Sequence, residues 1–254
     1  MASESRSGLT SLKLHYLVDA LDDFVAEATR NRWGPQEILE HAVRRELEER
    51  QRRSVERRLR EARIGRFRPM ASFDWAWPSV IDREHVERLL DLRFLDDHDN
   101  VILAAPQGLG KTMIAKNIAH RAVLAGHTVL FTTAGAMLLD LGQQDGPRAL
   151  NSRLRRYTSP KVLVIDEVGY LSYDTRAADL LFEVVTRRYE TGSIVLTTNL
   201  AFKEWPQHFP GAGCVTAMID RLTHHAEILS FEGESYRLRE AEERHKKRRP
   251  ARKS

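Results

Sequence analysis

A single cysteine, Cys214, stands in a chain of 254 residues. One thiol excludes an internal disulfide and any zinc site built on cysteine pairs. Long apolar runs are missing too: no stretch approaches the ~20 residues of a membrane span, and the N-terminus is polar rather than signal-like. These absences predict a chain of a reducing, cytoplasmic compartment. No internal repeat is visible, and the only low-complexity tract is the basic segment 244–254. What is present is 42% hydrophobic residues against 30% charged ones, enough to close a core and to exclude wholesale disorder. At ~150 residues per domain, the length fits one large domain or a main domain with a small partner.

Charge is unevenly placed. Residues 44–68 hold eleven Arg against five Glu, a local +6, and 244–254 contributes +7 with no acid. Against a net charge of +4, the remainder must carry −9. An acidic body with two basic strips predicts that the strips meet a polyanion.

Apolar residues at three- and four-residue steps (Leu12, Tyr16 or Leu17, Leu21, Phe24 or Val25) predict a helix over about 9–30. Trp33-Gly34-Pro35 breaks it, and Ile38, Leu39, Ala42, Val43 and Leu47 start a second stripe. Beyond Leu47 the helix is polar nearly all round, stitched by pairs such as Glu48–Arg52 and Glu56–Arg60 or laid along phosphates. Gly65 to Pro69 reads as a linker, and Phe73, Trp75 and Trp77 read as packing anchors, with adenine stacking or a partner interface as alternatives, as for Trp33. His224-His225 has no third ligand at metal spacing.

From Asn100 the pattern changes. Short β-rich runs at 101–105, 127–132, 161–165, 193–198 and 227–231 alternate with helical segments at 111–125, 134–141, 147–157, 175–190 and 214–224. Gly126 and Gly192 sit where helices should end, and Asp174 where one should be capped. Near-continuous apolar strands between helices predict an α/β fold with a parallel sheet covered on both faces.

The first strand runs into Ala105-Pro106-Gln107-Gly108-Leu109-Gly110-Lys111-Thr112-Met113, a Walker A loop with Ala for the first Gly. Gly108 and Gly110 let backbone N–H groups ring a phosphate, and the following helix aims its positive end at it. Lys111 is placed to reach the β/γ-phosphates and Thr112 to ligate Mg²⁺. The third strand delivers Asp166-Glu167 at the sheet edge where ligands bind. Asp166 is assigned to Mg²⁺ and Glu167 to the attacking water, a choice that favours hydrolysis over a small-molecule kinase. Asn199, after the fourth strand, is either a γ-phosphate or water ligand or a turn former, while Arg221 and Arg237, taken singly, read as surface ion-pair residues.

Together these motifs, with Asp166-Glu167-Val168-Gly169-Tyr170, Thr197-Thr198-Asn199, Asp220-Arg221-Leu222 and Ser235-Tyr236-Arg237, resemble the IstB-like AAA+ ATPases, transposition helpers of insertion sequences related to DnaC helicase loaders. The resemblance implies a three-layer αβα P-loop NTPase of the AAA+, ASCE type with a small all-helical N-terminal domain, the P-loop and Asp-Glu strands being separated by one strand. It implies domains at 1–66 (helical, DNA or partner binding), 67–243 (ATPase) and 244–254 (disordered basic tail). It assigns Asn199 to the sensor 1 role, Arg221 to an arginine finger acting on a neighbouring subunit, and Arg237 to sensor 2. ATP and Mg²⁺ as cofactors, duplex DNA, a cognate transposase and a homo-oligomer as partners follow from it. A helicase loader and a non-hydrolysing ATP-dependent DNA scaffold are the alternatives. Arg148, Arg153, Arg155 and Arg156 are candidates for a DNA-facing surface.

Overall fold

The computed structural model describes residues 2–170, 173–209 and 213–240. The basic tail 244–254 lies outside the described residues. Two compact units form, Met1–Arg57 and Arg58–Ser254, the division falling within a helix rather than at the 65–69 segment.

The first unit holds α1 (Ala2–Ser11), α2 (His15–Asp19), α3 (Leu21–Asn31) and most of α4 (Pro35–Ala62). The single helix predicted over 9–30 is therefore three. Lys13 turns left-handed at φ 57° and ends the first segment. The buried Glu46 carboxylate then accepts the backbone N–H groups of His15 (3.1 Å) and Tyr16 (2.9 Å), starting α2 afresh. Leu17 and Phe24 are buried as the stripe predicts, Leu12 is exposed, Ala28 joins the buried set, and Trp33 packs on Phe24 and stacks on His41 at 3.9 Å. The second stripe behaves differently: Leu39, Val43 and Leu47 are exposed. The predicted Glu48–Arg52 pair is replaced by Arg52 bridging Glu49 (2.7 Å) and Glu56 (2.5 Å), which takes Glu56 from Arg60.

The second unit is built on five parallel strands, β1 (Asn100–Ala104), β2 (Val129–Thr133), β3 (Val162–Val168), β4 (Ser193–Thr198) and β5 (Ala226–Ser230). Their order is β2-β3-β4-β1-β5, so β4 separates β1 from β3. Strand side chains alternate between two cores. Ile102, Leu163, Ile165, Ile194 and Leu196 join one with α7 (Ala134–Gly142), α8 (Pro147–Thr158), α9 (Thr175–Arg188) and α11 (Val215–His224). Val101, Leu103, Val162, Val164 and Val195 join the other with α5 (Arg83–Leu90) and α6 (Lys111–Leu124). Helix layers on both faces of one parallel sheet make the three-layer αβα architecture. The short α10 (Trp205–His208) buries Trp205 in the first core.

Asp174 caps α9, its carboxylate accepting the Ala177 N–H at 2.7 Å, and Gly126 takes φ 99° after α6. Gly192 is not the expected left-handed glycine. There α9 stops at Arg188 and the left-handed residue is Glu190, at φ 58°. A Cβ on Gly192 would lie 2.8 Å from Arg188 Nη2, so glycine makes room for that guanidinium. Arg188, 1% exposed, donates to the carbonyls of Tyr157, Thr158, Pro160, Lys161 and Ser193 at 2.8–3.3 Å.

Candidate nucleotide site

The loop 105–110 joins β1 to α6 at the C-terminal edge of the sheet, beside the ends of β3 and β4. Gly108 and Gly110 hold φ 81° and 96°. A Cβ on Gly108 would meet Ser235 Oγ at 2.2 Å, and one on Gly110 would meet Phe73 Cε2 at 2.7 Å. Both glycines are thus required twice, by backbone conformation and by neighbours. Ala105 does not adopt positive φ and is buried, which is why a methyl group is accepted where a Walker A loop has glycine.

Gly108 to Met113 line a cavity of about 350 Å³ together with Glu167, Tyr170, Tyr236 and Arg237. Lys111 is 4% exposed, and its Nζ donates to the carbonyls of Ala105 (2.5 Å) and Pro106 (2.8 Å). Burial pushes its pKa down to about 8; Asp166 opposes the shift and Arg237 adds to it. Asp166 is buried at the end of β3. Its Oδ1 accepts the Thr112 hydroxyl at 3.0 Å and the Thr197 hydroxyl at 2.5 Å.

Thr197 also accepts the Glu167 N–H, at 3.0 Å. The pairing of β3 with β4 shifts register between Ile165 and Val168, and Glu167 sits in that bulge at φ 64° with its side chain exposed to the cavity. In regular alternation, Glu167 would project to the face opposite Asp166; the bulge re-aims it. Burial, then Glu167 and Asp166, raise the Tyr170 pKa.

Asn199 follows β4 at the same edge, with its Oδ1 buried and lacking a hydrogen-bond partner among the described residues. Arg237 lines the cavity, carried by a segment whose Tyr236 N–H donates to Gly108 O at 3.1 Å. Arg221 is not among the cavity residues; it lies on α11 with its guanidinium 4.9 Å from the Phe182 ring centre. Pro106 and Gln107 are exposed on the outer side of the loop.

The segment Gly65 to Pro69, expected as a linker, instead begins a strap that runs over 66–78. Asn117 on α6 accepts the Met70 N–H at 3.1 Å and donates to Arg68 O at 2.9 Å, strapping the segment across the helix. Phe73 and Trp77 line the cavity, Trp77 Nε1 donating to Glu234 O at 2.8 Å. Of the four arginines on α8, two stand beside an acid. Arg153 is bound to Asp140 through Nε (2.7 Å) and Nη2 (2.5 Å), and Arg156 stands 4.0 Å from the same carboxylate. Arg148 and Arg155 remain exposed.

A phosphate-ring loop, an Asp-Glu strand one strand away and a trailing arginine segment now stand in one fold, and the sequence profile described as IstB-like ATP binding protein matches residues 7–244. The chain belongs to this IstB-like ATP-binding family. A relative from Pseudomonas aeruginosa, named as an ATP-binding protein of insertion sequence IS21, is 36% identical over 232 residues, covering 91% of this chain and 88% of its own. One from Geobacillus stearothermophilus, named for IS5376, is 37% identical over 204 residues, with 80% and 81% covered. Among solved structures, DnaI aligns with a TM-score of 0.54 at 18% identity over 68% of this chain and 91% of its own. Aquifex aeolicus DnaA bound to AMPPCP aligns with a TM-score of 0.50 at 16% identity, over 69% and 56%. These likenesses are of fold alone: the IstB-like protein shares its α/β architecture with DnaI and DnaA.

Proposed function

We propose that this IstB-like protein hydrolyses ATP, assembles with copies of itself on duplex DNA and delivers that DNA to a cognate transposase. The observation that carries the hydrolytic reading is the bulge at Glu167. It turns a carboxylate toward the cavity while Thr197 fixes the backbone N–H at 3.0 Å and holds Asp166 with the same hydroxyl. A carboxylate held there is suited to orient and deprotonate a water attacking the γ-phosphate. Lys111 and Arg237 carry positive charge to the same cavity, where charge builds on the transferring group. Asn199, with an unpartnered amide oxygen at this edge, is suited to hold that water or the γ-phosphate.

The Thr112 hydroxyl and Asp166 carboxylate form a hard, all-oxygen donor pair that fits Mg²⁺. Bound there, Mg²⁺ would neutralise phosphate charge; Thr112 and Asp166 would hold it directly or through water. Arg221 stands outside its own cavity, so a finger role requires the nucleotide of a neighbouring subunit.

For DNA, the supporting feature is basic charge with few acids beside it. Arg60 and Arg63 line an open cavity of about 520 Å³ together with Arg156, which faces Asp140 at 4.0 Å, and Glu61 is the one acid among its described lining residues. Arginines on phosphates release counterions and bind without reading sequence. The transposase as recipient rests on the insertion-sequence names of the relatives.

The decisive variant is Glu167→Gln. It should keep ATP affinity within a few-fold and lower turnover by about a hundredfold or more, the scale of a lost general base. Turnover equal to wild type in a steady-state phosphate-release assay would remove Glu167 from the reaction and favour ATP as structural glue.

A further inference from the structure

On the sheet edge opposite the nucleotide cavity, the turn between α9 and β4 meets the end of α11 just before β5. The turn contributes Glu190 and the helix end contributes His224 and His225, all three exposed. One donor atom from each lies within 4.8 Å of the other two, and His225 Nε2 is 4.0 Å from Glu190 Oε1. The histidine pair lacks a third ligand in the sequence; the fold supplies it from 34 positions upstream of His224.

The backbone at Glu190 is informative. Tyr189 has φ −53° and ψ 122°, Glu190 has φ 58°, and the Thr191 N–H donates to Arg188 O at 3.0 Å. This is a type II turn, whose third position favours Gly or Asn. A glutamate occupies it, with its carboxylate turned toward His225. On the other side, α11 ends at His224 while His225 leaves the helical conformation (φ −127°, ψ 85°), and the two consecutive imidazoles have ring centres 4.0 Å apart. The Tyr189 hydroxyl is hydrogen-bonded to His224 Nδ1 at 2.8 Å. That bond fixes the ring, as the hydrogen bonds behind metal-bound imidazoles do.

We propose that Glu190, His224 and His225 form a surface site for a divalent transition ion of the zinc class. Two imidazole nitrogens and one carboxylate oxygen suit Zn²⁺ and are a poor set for Mg²⁺ or Ca²⁺, which take oxygen. Bond lengths of about 2.0–2.1 Å in a tetrahedron separate ligand atoms by about 3.3 Å. The three donors must therefore close by about 1 Å or somewhat more, which exposed side chains accomplish by small rotamer changes. The fourth position stays open to water. Occupancy would tie the α9–β4 turn to the end of α11, one helical turn beyond Arg221.

The test is Zn²⁺ binding by the full chain in competition with a chromophoric chelator, with the Co²⁺ absorption spectrum as a second readout. Wild type should bind one tight equivalent and give Co²⁺ bands of low coordination number. Glu190→Gln and His224→Asn should each weaken binding about tenfold or more. The double variant His224→Asn/His225→Asn should lose the equivalent, while His127→Asn, beside the opposite edge strand β2, should keep it. Thermal melting without metal checks that the variants fold. Wild type binding no more tightly than the folded double variant would overturn the proposal. Neither readout uses ATP turnover, so the result stands apart from the function proposed above.

Discussion

Lys111 donates to the carbonyls of Ala105 and Pro106, two acceptors that polyphosphate oxygens would replace. Its pKa, lowered to about 8 by burial, has two consequences of definite sign. Above pH 8 the free site is increasingly neutral, so binding a polyanion must take up a proton and affinity should fall. The Kd of a fluorescent ATP analogue is expected to be flat from about pH 6.5 to 7.5 and to rise between about 8 and 9.5, with Lys111→Met weak at every pH. For folding, the unfolded chain binds the extra proton between about 8 and the ordinary lysine value of 10.5, so Lys111 destabilises at neutral pH and that cost fades as pH rises through this window. The residues of this loop are legible in the sequence because Gly108, Gly110, Lys111 and Thr112 keep a fixed spacing. Tyr170 and Thr197 sit inside recognisable motifs but acquire a place in the site only through the bulge that brings β3 and β4 into shifted register.

At the scale of elements, the strands are readable because β1, β3 and β4 are buried on both faces and present continuous apolar runs. Asp174 and Gly126 are readable from local chemistry alone. The break at Lys13 is not, since the cap of α2 comes from Glu46, thirty residues away. The strap at 66–78 is hidden for the same reason: Gly65 and Pro69 look like a linker, and the hydrogen bonds that hold the segment to α6 come from Lys116 and Asn117, far along the chain. Arg188 is the clearest element-scale test. Arg188→Ala would leave several buried carbonyls unpaired and a cavity beside Gly192, and a loss of about 3–5 kcal/mol is expected in urea denaturation. Asn117→Leu is expected to fold, losing about 1–2 kcal/mol, while weakening nucleotide binding by loosening the strap that carries Phe73 and Trp77. Unchanged affinity in equilibrium titration would show that the strap does not shape the site.

At the scale of the whole molecule, the family assignment rests on a profile match across residues 7–244 and on relatives aligned over most of their length. The basic charge of the strip survives folding only in part, since Arg50, Arg52 and Arg53 are paired with acids. Arg60 and Arg63 stay beside an open basic cavity. Replacing both with Ala should weaken duplex binding regardless of sequence and lower the salt slope by about 0.9 for each phosphate no longer neutralised. Equal slopes in fluorescence anisotropy would move the DNA path elsewhere. The central claim, that one subunit completes the site of the next, is tested most directly by mixing two variants. Glu167→Gln retains Arg221, and Arg221→Ala retains Glu167. Each alone should be nearly inactive with DNA and ATP present. Mixed, they should recover substantial turnover at interfaces that pair an intact Glu167 with an intact Arg221. A mixture as inactive as its components, or an Arg221→Ala variant that turns over like wild type, would contradict catalysis across subunits.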